Sequence, residues 1–233
     1  NIISPQEIIE KYGRDYLRYY FAKISKGEDF SFDEKEMQEI QKLLRVLTNT
    51  NNFVNQVQKK KSTLKPEDKW IISKYNSLIL ETTEHYNNYR VYDAVRCLED
   101  FIMKDVSRTY IQMIRDRSDE TYDVLNEIRL GILKLFAPIM PFITDKIWQE
   151  LLDKKVVKEE SVHLSLWPKV NSKKIDKKLE AEMGKALRII EAGLATRDKV
   201  QIGLKWPLAK ASVYGIKSIE KELQEIVKIQ LNV

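Results

Sequence analysis

The sequence predicts a mainly α protein, an antiparallel helix bundle followed by a small α/β appendage. Three observations carry this. Glycine and proline number only seven and six in 233 residues, so few positions can break a helix. Between them, apolar residues recur at the three- and four-residue spacing of a helix face. Beyond Leu152 the texture changes to Lys-rich irregular sequence containing Trp167-Pro168, and then to mixed helix-like and strand-like stretches.

Taken in order, Pro5 behind Ser4 as N-cap opens a short helix with Ile8 and Ile9 facing inward. Gly13 breaks it, and Asp15 caps a second helix carrying Leu17, Tyr20 and Phe21. Ser31-Phe32-Asp33-Glu34 reads as a capping box ahead of a long helix to about residue 61, whose inner line is Ile40, Leu43, Leu47, Val54 and Val57. Pro66 starts the next helix, with Trp70, Ile71, Tyr75, Leu78 and Ile79 on one side. A third long helix over 91–114 runs on Ala94, Val95, Leu98, Ile102 and Val106. A fourth, over 119–136, uses Val124, Leu125, Ile128, Ile132 and Leu135. Pro138 and Pro141 force a break before a shorter helix bearing Phe142, Ile143, Ile147, Trp148 and Leu151. Short connections between long amphipathic helices favour antiparallel packing. Beyond it come a helix over 175–199, a strand-like 211–214, a helix over 219–229, and a strand-like start at 231–233. The expected division is 1–30, 31–170 and 171–233.

Composition narrows the function. Hydrophobic residues at 43% and charged residues at 32% fit a folded rather than disordered chain. No apolar run approaches the roughly 20 residues that span a bilayer. Asn1 opens without a basic stretch and apolar run, so no signal peptide is expected. One cysteine, Cys97, excludes an internal disulfide and suits a reducing cytoplasm. With only His85 and His163 beside it, a zinc site of ordinary spacing is not expected. No glycine-rich phosphate loop and no cluster of nucleophile, base and acid stands out, so no catalytic residue and no cofactor is assigned to this chain.

The formal charge is +5, and residues 154–188 carry ten basic and five acidic side chains, which accounts for all of it. Lys173, Lys174, Lys177 and Lys178 form its densest part. Local positive charge of this kind faces phosphates or simply solvent, and both readings stay open. Two polar helical stripes are more specific. Arg45, Asn49, Asn52 and Gln56 recur at i, i+4, i+7 and i+11 and so share one face. Asparagine is a poor helix former, and amides and guanidiniums can read base edges. Arg108, Gln112 and Arg115 form a second stripe, with Arg117 just past it and Tyr110 nearby, a combination suited to unstacked bases of single-stranded RNA. A hydrophilic surface without a partner is the alternative for both.

The residues also resemble a family. Asn1-Ile2-Ile3-Ser4-Pro5 and Tyr12-Gly13-Arg14-Asp15-Tyr16-Leu17-Arg18 resemble the segment after the KMSKS loop of class I aminoacyl-tRNA synthetases. Thr48-Asn49-Thr50-Asn51-Asn52-Phe53 is similar to the family's W-N-T-Y-x-F helix, with Thr48 and Asn51 in place of its aromatics. Ser107-Arg108-Thr109-Tyr110-Ile111 and Ile114-Arg115-Asp116-Arg117 resemble S-R-W-Y-hydrophobic and I-R-x-R, Thr109 replacing the tryptophan. Ala137-Pro138-Ile139-Met140-Pro141-Phe142 is similar to the A-P-hydrophobic-x-P-F turn, with Trp148 as the aromatic beyond it. Glu160-Ser161-Val162-His163-Leu164 with Trp167-Pro168, and Leu204-Lys205-Trp206-Pro207-Leu208, resemble the isoleucyl rather than the valyl or leucyl branch.

The resemblance implies an anticodon-binding bundle from an enzyme that uses ATP and Mg²⁺ to attach isoleucine to tRNA(Ile). Its catalytic and editing domains would lie upstream. It further implies a cytoplasmic monomer with no membrane partner. Residues 1–30 would contact the tRNA stem, the bundle would hold the anticodon arm, and the two stripes would read the loop while the lysines position it. The rival readings are the equivalent valyl or leucyl domain and a helical protein-interaction module.

Overall fold

The computed structural model describes residues 4–25, 34–215 and 218–233. Helices α1 (Pro5–Tyr12) and α2 (Arg14–Ile24) are joined at Gly13. Ser4 Oγ accepts the Gln6 N–H at 3.2 Å as the expected N-cap, and Gly13 turns the chain at φ 100°, a conformation that suits glycine alone. Asp15 does not cap α2, whose own N-cap is Gly13. It accepts the Ile143 N–H at 2.6 Å, in the first turn of α8 (Pro141–Asp153). Met140 precedes α8 and has no side-chain oxygen for that role, so Asp15 supplies it from across the fold. One turn on, Arg18 donates to the carbonyls of Pro138 and Ile139 at 2.9 and 3.0 Å. The Gly13–Arg18 segment and the proline turn, 120 residues apart in sequence, are two halves of one clamp.

Helix α3 (Glu34–Gln56) is the first long rod; its expected capping box at Ser31, Phe32 and Asp33 lies outside the described residues. It stops at Gln56 rather than near 61 because Asp119 takes the next donors. The side chain of Asp119 accepts the Gln58 N–H and its carbonyl accepts that of Lys60, at 2.9 and 3.0 Å. Helix α4 (Pro66–Asn87) is the central post, packed against α5 (Val91–Asp100), α7 (Tyr122–Phe136), α9 (Lys177–Lys199) and the segment that follows α5. It buries residues on nearly every side, from Trp70 and Ile71 to Ser73, Asn76 and Ser77, as a helix in the middle of a fold must. A Cβ built on Gly131 of α7 would lie 1.7 Å from Tyr75 Oη. Glycine at that position is what lets α7 close on α4.

The third rod departs from a plain α-helix. α5 (Val91–Asp100) continues as a π-helix over Phe101–Tyr110, then as α6 (Ile111–Ile114) and a 3₁₀ segment Arg115–Thr121 kinked at Arg117 (φ −134°). The buried line is Leu98, Ile102, Val106, Tyr110 and Ile114, every fourth residue. At 3.6 residues per turn each such step drifts by roughly 40°, and four steps would carry the line away from the core. The wider π turn cancels that drift. Helix α7 begins at Tyr122, not 119, because the 3₁₀ segment occupies the residues before it, and runs to Phe136.

After α8, residues 154–176 strap back across the bundle. Trp148 Nε1 donates to the Glu159 carbonyl and Trp167 Nε1 to Thr83 Oγ1, at 2.9 and 2.8 Å. His163 sits in a 3₁₀ turn packed on α8, and Phe142 of α8 is 60% exposed. Helices α9 (Lys177–Lys199) and α10 (Lys221–Leu231) form a hairpin. The strands expected at 211–214 and 231–233 are not present among the described residues. The nearest approach to a ladder is one bond, Leu208 N–H to the Asn232 carbonyl at 3.0 Å. Buried Arg197 gathers the carbonyls of Gly203, Trp206, Leu231 and Asn232 instead. Among the described residues no helix is long and apolar enough to cross a membrane.

Candidate functional site

The first stripe is where the spacing places it. Arg45, Asn49, Asn52 and Gln56 are all exposed on α3, and among the described residues no hydrogen bond or ion pair engages their side chains. Their neighbours explain the rest of the asparagine-rich run. Asn51 is 2% exposed, and it and Asn55 point the other way, accepting from Arg129 of α7 at 3.4 and 2.8 Å. Asn126 accepts from the same guanidinium. The helix thus spends Asn51 and Asn55 on a buried cation and leaves Asn49 and Asn52 for solvent or a partner. The sequence did hold a signal for Arg129: a single arginine within the inward-facing Val124–Leu125–Ile128–Ile132 set.

The second stripe divides. Arg108, Gln112 and Arg115 are exposed. Arg108 and Gln112 line a groove of about 720 Å³ between the π segment and α9, with Lys104 on the same four-residue line and Leu187, Ile190, Leu194 and Leu204 as its apolar lining. Lys104 was not singled out by sequence, although it continues the spacing of Arg108 and Gln112. An apolar floor beside guanidinium and amide groups accepts a flat ring with polar edges. No residue of the α3 stripe lines this groove.

Arg117 and Tyr110 stand apart from the surface. The Arg117 guanidinium pairs with Glu67 and, at 2.8 Å, with Asp68. Tyr110 is fully buried and its hydroxyl donates to Asp68 at 2.8 Å. Burial first, and then the Asp68 carboxylate, push the Tyr110 phenol far above its ordinary range. A ring enclosed in this way offers no face to a base. Together these groups pin the kink to the start of α4.

The lysine window is mostly neutralised. Lys174 lies 3.5 Å from Glu127, Lys177 3.0 Å from Glu180 and Lys178 3.0 Å from Glu220, while Lys173 has no such partner among the described residues. Glu180 is the pivot of this region, because it accepts from Ser73 and Ser77 of α4 at 2.6 and 3.1 Å and so docks α9. Its burial would raise its pKa, but the bonds from Ser73, Lys177 and Ser77 outweigh that and hold it below the ordinary value.

Residues 68–213 match the family described as the anticodon-binding domain of tRNA ligase. The isoleucine–tRNA ligase of Pyrococcus horikoshii is 34% identical over the whole chain, and that of Thermococcus kodakarensis 32%. The counterpart from Methanosarcina mazei is 33% identical over 91% of it. The chain spans about a quarter of the length of these relatives, 24% of the first. In fold it is similar to the Agrobacterium radiobacter K84 agnB2 LeuRS, solved as a ternary complex with tRNA and LeuAMS. The TM-score is 0.57 at 16% identity, over 76% of this chain and 22% of that one. The matched span holds most of α4, the π-helical rod, α7, α8 and α9, and the protein belongs to the anticodon-binding domain family of tRNA ligases.

Proposed function

We propose that this protein is the tRNA-binding part of an isoleucine–tRNA ligase, and that it holds the anticodon arm of tRNA(Ile). The α3 stripe and the Arg108–Gln112–Arg115 stripe read the loop, and the lysines only position it. The observation that carries this is the pair of exposed polar faces that no side chain among the described residues engages, one of them beside a groove with an apolar floor. Asparagine in a helix costs a few tenths of a kcal/mol against better formers, and recognition of base edges offsets that cost. The names of the curated relatives supply the amino acid. The longer enzyme would use ATP and Mg²⁺ to activate isoleucine and work as a cytoplasmic monomer.

The test is binding of an isoleucine tRNA transcript and of the same transcript carrying a foreign anticodon. Asn49→Ala, Asn52→Ala, Arg108→Ala and Gln112→Ala should each weaken the first by about 1–3 kcal/mol where the contact is bidentate, and the second far less. Equal binding of both RNAs by every folded variant would return the stripes to solvent. The purified chain should also show no isoleucine-dependent pyrophosphate exchange.

A further inference from the structure

Arg129 is 4% exposed, and among the described residues no carboxylate pairs with it. Its guanidinium is held by three amide oxygens from two helices: Asn51 and Asn55 of α3 and Asn126 of its own α7. Among the described residues Arg129 Nε and Asn51 Nδ2 are buried without an acceptor. A cation buried among neutral groups is a poor way to gain stability, because its desolvation offsets much of what its bonds return. What a forked, planar donor does provide is direction.

That direction bears on the exposed stripe. At 100° per residue, Asn51 and Asn55 lie within roughly 40° of each other on α3, and the mean of Arg45, Asn49, Asn52 and Gln56 lies roughly 110° round from them. A single bond to one asparagine would let α3 roll or slide against α7. Bonds to two, one turn apart, fix both its rotation and its register. We infer that Arg129 is a positioning residue for recognition: through Asn51 and Asn55 it sets the angle at which α3 presents Asn49, Asn52 and Gln56 to RNA. This rests on the reading that the α3 stripe contacts the anticodon loop.

The experiment uses the full chain, an isoleucine tRNA transcript and its anticodon-swapped form, and reads the ratio of the two affinities. Arg129→Met keeps the side chain's bulk and removes the fork, while Arg129→Lys reaches at most one of the helices. Both should lower the ratio by roughly tenfold, the size of one lost bidentate base contact, with helix content unchanged by circular dichroism. Adding Asn52→Ala to Arg129→Met should then cost little more, because a mispointed Asn52 has nothing left to lose. Should Arg129→Met fail to fold, Asn55→Ala makes the same comparison from a half-buried position. A folded variant that keeps the parent ratio, or weakens both RNAs alike, overturns the inference. If Asn52→Ala alone leaves the ratio unchanged, the stripe reading itself fails. If Asn52→Ala lowers it while Arg129→Met and Asn55→Ala do not, only the role of Arg129 falls.

Discussion

Arg117 and Arg129 both place a guanidinium inside the bundle, and their surroundings differ in kind. Arg117 meets two carboxylates, Glu67 and Asp68, with Tyr110 completing the set. Among the described residues Arg129 meets side-chain amides and no carboxylate, and burial pushes its pKa down; burial acts on Arg117 in the same sense, but bonds and attraction from Asp68 and Glu67 outweigh it and raise its pKa. The first site fastens the kinked entry to α7 onto the start of α4. The second sets how α3 sits on α7. Countercharge makes a site that cannot lose a partner, because what remains is a buried unpaired charge. Dipoles make a site whose loss leaves only neutral groups, some of which can turn to water.

The largest effect expected from this contrast is at Arg117. Arg117→Ala leaves Asp68, 1% exposed, without its cation, and should cost about 3–5 kcal/mol in urea or thermal unfolding. Arg129→Met should cost less, about 1–3 kcal/mol, mainly for the unsatisfied Asn51. Similar losses at the two sites would break the comparison. A loss below about 1 kcal/mol at Arg117 would mean that its carboxylates are solvated after all.

Glu180 extends the contrast to an anion held largely by hydroxyls. Its folded pKa lies below the ordinary 4.5, so its contribution is present above that value and lost as the pH falls through the folded one. Acidification below about pH 4.5 should therefore loosen α9 from α4, seen as faster hydrogen exchange in α9 before the bundle melts. Glu180→Gln keeps an acceptor for Ser73 and Ser77 and should remove that pH step at a cost of about 1 kcal/mol. Asp15 has the opposite sign. Burial raises its pKa above 3.8 despite the bonds from Ile143 and Phe142, so its ionisation disfavours folding as the pH rises through that value. An α9 exchange profile with no acid step would remove Glu180 from this role.

The sequence made the helices legible because a buried face repeats every three or four residues whatever its partner is. The strict four-residue spacing from Leu98 to Ile114 was also visible, yet its meaning as a π-helix needed the knowledge that all five positions are buried. The division of labour along α3 could not be read. Asn51 and Asn52 are neighbours in sequence and about 100° apart on the helix, and what separates them is Arg129, 78 residues from Asn51. The same holds for Asp15, whose spacing suggests a cap for its own helix while its acceptor serves Ile143, 128 residues on. The 211–214 stretch alternates like a strand, but a strand exists only where a second one meets its backbone.

The smallest effect expected concerns the lysine window, and it tests whether the exposed ion pairs there belong with Arg117 or with solvent. Lys173, Lys174, Lys177 and Lys178 bring four positive charges, and Glu127, Glu180 and Glu220 face three of them. The exposed pairs of Lys174 and Lys178 are worth about 0–1 kcal/mol each, so RNA can open them. Opening them, however, leaves carboxylates near the phosphates, and the net charge offered remains about one. The log–log salt dependence of binding changes by about 0.7 per phosphate neutralised on a single strand. Changing all four lysines to glutamine should therefore flatten the slope by about 0.7, not the roughly 2.8 that four independent lysines would give. Glu220→Gln should act in the opposite sense, freeing Lys178 and steepening the slope by about 0.7. A change near 2.8 in the first variant and none in the second would show that the lysines leave their carboxylates for RNA. The window would then behave as a phosphate track, and the pairs seen without RNA would be its resting arrangement.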